Sequence, residues 1–213
     1  MAYIYDEGEH TVVHIPIVSL KEGEVVEEAV EFVVDKGGRV VKGPLASLQE
    51  AYHKALESLS HALSQTETLL DGLEYKLEME EPVKPGELYA ASYMAHALYY
   101  YAALLHQLGD ELYRRGLIAH RQANYSRYLR RRALMLRRYA RDIRLLHATV
   151  VQLSLNESMK KLTWLGTVAL PALVITSFYG MNLEWLPLAN HPLIVFAILA
   201  IASISFAYIL NKI

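Results

Sequence analysis

The residues most able to do chemistry lie at positions 180–182, which read Gly-Met-Asn directly after a long uncharged stretch. The side-chain amide of Asn182 offers a neutral oxygen, and several copies around an axis would present a ring of such oxygens. Such a ring would suit the water shell of a hydrated divalent ion. Gly180 permits the backbone to leave a helix. The competing interpretation is a simple turn in which glycine ends the helix.

Two uncharged spans flank this tripeptide and must position it. Residues 162–179 and 192–210 have 18 and 19 residues without a formal charge. This is close to the length that a helix needs to cross the hydrocarbon of a bilayer. We therefore predict two transmembrane helices, joined by an external loop at residues 180–191 and followed by a cytoplasmic tail at residues 211–213.

The charges beside the spans predict the orientation of the chain. Lys160 and Lys161 precede the first span and Lys212 follows the second, whereas residues 180–191 contain no Lys or Arg. Positive residues stay on the cytoplasmic side of a membrane. We expect a multi-pass protein of the cell membrane with both termini in the cytoplasm, in contact with lipid.

Residues around the first span carry a family resemblance. Residues 156–163 read NESMKKLT and residues 179–182 read YGMN, with Pro171 inside the span and Pro187 five residues beyond Asn182. This arrangement resembles the CorA-type magnesium channels, closely over residues 156–213. The resemblance implies a homopentamer with a pore lined by the first span, with the second span outside it. It implies that Gly180, Met181 and Asn182 form the selectivity filter, that hydrated Mg²⁺ is the transported ion, and that no cofactor is needed.

A seven-residue repeat runs along the predicted third helix and gives one side of it a mostly small or polar character. Its members are Met135, Asp142, Thr149, Asn156, Thr163, Leu170 and Ser177. A seven-residue repeat defines one seam of a supercoiled bundle, and a polar seam in a membrane helix faces water or a partner rather than lipid. By resemblance, Asn156, Thr163 and Ser177 match pore positions, and Met159 and Leu170 match hydrophobic constrictions. Ordinary packing between helices is the alternative for Met159 and Leu170.

Two acidic residues are candidates for attracting cations. Asp142 is the single acid among nine arginines in residues 121–144, and Glu184 is the single acid of the external loop. A salt bridge from Asp142 to Arg138, four residues earlier, is the competing interpretation and would be weak. For Glu184 the alternative is a solvated loop charge.

The remaining residues predict a mainly α-helical cytoplasmic part with a small β element. Residues 1–44 contain β-branched runs and a hairpin signal around residues 36–39, which indicate two or three short strands packed on the following helices or a neighbouring subunit. Residues 45–118 predict an acidic antiparallel helical hairpin. Residues 119–161 predict a basic stalk helix that continues into the first span, about 60 residues and roughly 90 Å in all. Because the charges are opposite, we expect the acidic hairpin to lie near the lower part of this stalk.

Charge and composition exclude several classes of function. The chain has no cysteine, so neither disulfides nor a thiolate metal site is expected, and no histidine pair has catalytic metal-ligand spacing. The arginine-rich strip leads into a membrane span, which favours a membrane flank over a nucleic-acid footprint. We do not expect this protein to be an enzyme. Co²⁺, Ni²⁺ or Zn²⁺ transport by the same fold, and a non-conducting membrane-anchored accessory subunit, remain the alternative functions.

Overall fold

The computed structural model shows two compact units, residues 1–148 (unit 1) and residues 149–213 (unit 2). The structure describes residues 3–8, 10–21, 23–35, 40–43, 47–180 and 191–212, apart from the side chains at 178, 192 and 209–212. Each unit is considered on its own below.

Unit 1 begins with a four-stranded antiparallel sheet. Its strands are β1 (Tyr3–Glu7), β2 (His10–Lys21), β3 (Glu24–Asp35) and β4 (Val40–Lys42), and they lie in the order β1-β2-β3-β4. The predicted hairpin around residues 36–39 is confirmed, since β3 pairs antiparallel with β4. The expected two or three short strands are wrong in number and length, because the described residues form four strands and two of them have 12 residues.

The sheet is stable because one face packs on a helix. Val13, Ile15 and Phe32 are fully buried in the same hydrophobic core as the leucines of the first helix. The hydroxyl of Ser58 on that helix also donates to the carbonyl oxygen of Val18, at 2.6 Å. The expectation that the strands pack on the following helices is therefore confirmed.

Two helices follow the sheet and form an antiparallel pair. Helix α1 spans Leu48–Glu78 and helix α2 spans Pro85–Arg114. The Tyr52 hydroxyl, near the start of α1, donates to the carbonyl oxygen of Leu105, near the end of α2, at 2.8 Å. Helix α2 stops where Gly116 takes a φ of 72°, a left-handed conformation that glycine adopts without steric cost. The leucines of α1 at three- and four-residue steps lie on its buried face.

Helix α3 spans His120–Tyr179 without interruption, and helix α4 spans Pro192–Lys212. The prediction of one helix of about 60 residues is confirmed, with Pro171 inside it. In unit 1, α3 adds Leu129, Leu136 and Ile143 to the core. Among the described residues, no helix holds a stretch both long enough and apolar enough to cross a membrane.

Candidate functional site

The five predicted pore residues all lie on one continuous helix. Each of them is exposed, and the side chain of Met159 is 65% exposed. A seven-residue step turns an α-helix by about 20° less than two full turns. The list Asn156, Met159, Thr163, Leu170 and Ser177 therefore falls within an arc of about 60° on α3. The helix thus brings together, on one side, every residue predicted to line a pore.

Exposure alone does not distinguish this side from the rest of α3. Every residue from 151 to 166 is exposed, including apolar side chains such as Leu162 (72%) and Leu165 (61%). Over residues 151–166, the polar arc and the apolar side chains around it therefore both lack protein cover within the described part of the chain. Sequence, rather than burial, separates the two surfaces.

At the end of α3, Gly180 continues the helical hydrogen-bonding pattern for one more residue. Its N–H donates to the carbonyl oxygen of Thr176, at 2.9 Å. A Cβ added at Gly180 would lie 3.3 Å from that same oxygen, a tight contact. Its φ is not in the left-handed region, so close approach favours glycine here. The other predicted filter and loop residues, Met181, Asn182 and Glu184, lie outside the described residues.

Asp142 forms a salt bridge, but its partner differs from the prediction. Its carboxylate contacts the guanidinium of Arg141, at 3.0 Å. The interpretation that Asp142 pairs with Arg138 is therefore wrong. The two side chains are 62% and 59% exposed, so water and salt screen the pair and it stabilises little. The carboxylate of Asp142 stays open to solvent, and its role in attracting cations remains a prediction.

The acidic hairpin and the basic part of α3 are in contact, as their charges predicted. Arg132 contacts the carboxylate of Glu67, at 2.6 Å. The hydroxyl of Tyr139 donates to Glu74, at 2.6 Å, and to Asp71, at 2.9 Å. Burial, and then the hydrogen bonds to these two carboxylates, raise the pKa of Tyr139. These contacts join α1 to α3 within unit 1.

Sequence reasoning missed a buried polar cluster at the meeting point of the three helices of unit 1. Tyr52 of α1, His106 of α2 and Ser126 of α3 are 0%, 6% and 1% exposed. Gly109 of α2 leaves room for them, because a Cβ there would collide with the hydroxyl of Tyr52. A glycine inside a leucine-rich helix was the signal that could have indicated this close approach. Within the described residues, no group of three or more His, Cys, Asp or Glu could hold a metal ion.

This fold, with a small sheet on a helix pair and a very long helix followed by a final one, is shared with two solved structures. The CorA magnesium transporter of Methanocaldococcus jannaschii superposes with a TM-score of 0.70 at 18% identity, covering 99% of this chain and 78% of that one. The full-length CmaX protein superposes with a TM-score of 0.68 at 15% identity, covering 99% of this chain and 76% of that one.

Comparison of the sequence with known protein families identifies the family of this chain. Residues 37–212 match the family described as CorA-like Mg²⁺ transporter protein, and the chain belongs to that family. The cobalt/magnesium transport protein CorA of Methanocaldococcus jannaschii is 36% identical over 63 residues. That alignment covers 28% of this chain and 20% of that protein. The family membership confirms the resemblance drawn from the residues around the first span.

Proposed function

We propose that this chain is the subunit of a homopentameric channel that moves hydrated Mg²⁺ across the cell membrane. The observation that carries the proposal is the single arc of α3 that holds Asn156, Thr163 and Ser177 together with Met159 and Leu170. Membership of the CorA-like Mg²⁺ transporter family and the likeness of fold support it. Five copies of α3 around an axis would turn this arc into the wall of a pore.

Lipid is the proposed environment of the rest of unit 2. Leu193 of α4 is 83% exposed, and further large apolar side chains on α4, such as Phe196, Ile201 and Ile204, are exposed as well. Extensive exposed apolar surface marks contact with a membrane or with another protein. In our proposal the second half of α3 and most of α4 cross the bilayer, with both termini in the cytoplasm.

Selection and gating follow from the chemistry of the side chains on the arc. The amide oxygens of Asn182 would accept hydrogen bonds from the water shell of Mg²⁺, which the ion keeps. Hydroxyl and amide groups at Asn156, Thr163 and Ser177 would continue that hydrated path. Rings of Met159 and Leu170 would close it by excluding water, as hydrophobic constrictions do. Glu184 and Asp142 would raise the local concentration of cations.

The contact between the acidic hairpin and α3 offers a route for regulation by the transported ion. Glu67 and Asp71 of α1 are bonded to Arg132 and Tyr139 of α3. Cytoplasmic Mg²⁺ that competes for these carboxylates would weaken the contact. Feedback by Mg²⁺ is thus part of the proposal.

Mg²⁺ flux into proteoliposomes tests the function most directly. We expect robust flux with the unaltered chain and its loss, or loss of ion selectivity, in Asn182→Ala. Asn190→Ala is the matched control, because it removes the same side chain from the same loop, and it should leave flux unchanged.

The alternative functions give different results in the same assay. Flux of Co²⁺, Ni²⁺ or Zn²⁺ without Mg²⁺ would indicate a channel of the same fold for another divalent ion. The channel proposal would be overturned if none of these ions, Mg²⁺ included, crossed the membrane and the protein in detergent had the mass of one or two copies. That result would indicate a membrane-anchored accessory subunit.

A further inference from the structure

We propose that His106 is a proton-binding site inside unit 1, and that its protonation loosens the packing of α1 and α2 against α3. The imidazole is 6% exposed and lies where the three helices meet. Its Nδ1 is 3.3 Å from the hydroxyl oxygen of Ser126 on α3, and its Nε2 is 3.6 Å from a carboxylate oxygen of Asp110 on α2. Both ring nitrogens therefore face polar groups in an otherwise apolar core.

Both ring nitrogens have a neighbour that can accept a hydrogen bond. The hydroxyl of Ser126 donates to the carbonyl oxygen of Ala123, at 2.8 Å, and its oxygen can accept from Nδ1. The carboxylate of Asp110 can accept from Nε2. The neutral ring carries one N–H and donates to one of these two neighbours. A second proton would bind at the other nitrogen.

The surroundings make that second proton costly to bind. Burial has the largest effect and lowers the pKa of His106, the carboxylate of Asp110 opposes it, and Arg130 and Arg127 of α3 lower the pKa further. From α1, the titratable group of the cluster is the phenol of Tyr52, which stays neutral because burial raises its pKa. A protonated His106 would thus be a buried cation that one carboxylate attracts and two guanidinium groups repel.

The cluster contains Ser, His and Asp, but its geometry excludes nucleophilic catalysis. Ser126 is 1% exposed and its hydroxyl is already bonded to the backbone, so no substrate can reach it. A proton is small enough to enter through brief opening of the helices. We therefore assign the cluster to proton binding rather than to a reaction.

The direction of the pH effect follows from the lowered pKa. When the helices open, His106 regains a pKa of about 6.5. The opened state then binds more protons than the closed state, so acid favours opening. The effect begins as the pH falls below about 6.5 and ends at the pKa of the closed state. Between pH 8 and pH 5 the opening equilibrium would rise by up to about 30-fold.

Amide hydrogen exchange of the full chain, measured in detergent from pH 8 to pH 5, tests the proposal. After correction for the intrinsic dependence of exchange on pH, amides of α2 and α3 beside the cluster should open more in acid, by up to about 30-fold. His106→Gln keeps a polar neutral side chain and should abolish this rise. His53→Gln is the matched control, since His53 is an exposed histidine paired with Glu57, and it should leave the rise unchanged.

Two further variants keep the test decisive if His106→Gln does not fold. Arg130 is exposed on α3, so Arg130→Gln should fold normally. By raising the pKa of His106 in the closed state, it should end the acid rise at a higher pH and make the rise smaller. Asp110→Asn should lower that pKa, so the rise should continue to lower pH and become larger. An acid rise of equal size in His106→Gln, or a rise of unchanged size in both Arg130→Gln and Asp110→Asn, would overturn the proposal.

Discussion

The two units of this chain use apolar residues in opposite ways. In unit 1, side chains from the sheet and from α1, α2 and α3 form one continuous buried core. In unit 2, no described side chain is buried, although most of them are apolar. Unit 1 therefore contains the partners that its apolar surface needs. In the proposed channel, unit 2 finds them outside the chain, in lipid or in other copies.

We expect the largest effect when the two units are produced as separate fragments. A chain ending at Ala148 should remain folded in aqueous buffer, because its core is complete. A chain of residues 149–213 should need detergent or lipid to stay dispersed. Circular dichroism and sedimentation of both fragments measure this. Aggregation of the first fragment in buffer would show that unit 1 depends on unit 2 for its stability.

A pair of leucine truncations sharpens the contrast within the full chain. Leu98→Ala removes a fully buried side chain of α2 and should lower the free energy of unfolding of unit 1 by about 2–5 kcal/mol. Leu173→Ala removes a side chain of α3 that is 62% exposed, and should leave that free energy unchanged. Denaturant titration in detergent, followed by helical circular dichroism, measures both. Equal effects of the two variants would contradict the contrast.

A pair of glycine substitutions tests how tightly unit 1 is packed. Gly109→Ala places a methyl group against the hydroxyl of Tyr52 and should destabilise unit 1 by about 1–3 kcal/mol. Gly72→Ala in α1 meets open space and should stabilise the helix by about 0.5–1 kcal/mol. The melting temperature should fall in Gly109→Ala and rise in Gly72→Ala, each compared with the unaltered chain. A neutral Gly109→Ala would mean that Tyr52 has room to move.

The helices were largely predictable from sequence, whereas the sheet was predictable only in part. Leucines at helical spacing indicated α1, and the absence of a breaker indicated the continuous α3. The length of β3 was missed because Glu27, Glu28 and Glu31 interrupt its apolar runs. These acids are exposed in a strand, and Glu28 forms an ion pair with Lys21 of β2. Only pairing with β2 reveals that they belong to a strand.

The polar groups of unit 1 show a different limit. The opposite charges of the hairpin and of α3 predicted that they meet, but local spacing selected the wrong arginine for Asp142. The cluster around His106 could not be predicted, because its members lie far apart in the sequence: His106 and Ser126 are 20 positions apart, and Tyr52 is 53 positions from its hydrogen-bond partner Leu105. Their proximity depends on how three helices cross.

The continuity of α3 has a consequence for the shape of a pore. In a straight helix, positions 156, 163, 170 and 177 would turn progressively away from a central axis, by about 60° in total. To keep all four facing the axis of the proposed pore, the copies of α3 would wind around one another in a left-handed sense, as coiled coils do. A pore lined by this repeat would therefore be the central channel of a shallow left-handed supercoil. Insertion or deletion of a single residue between positions 156 and 177 would rotate the later positions of the repeat out of that channel.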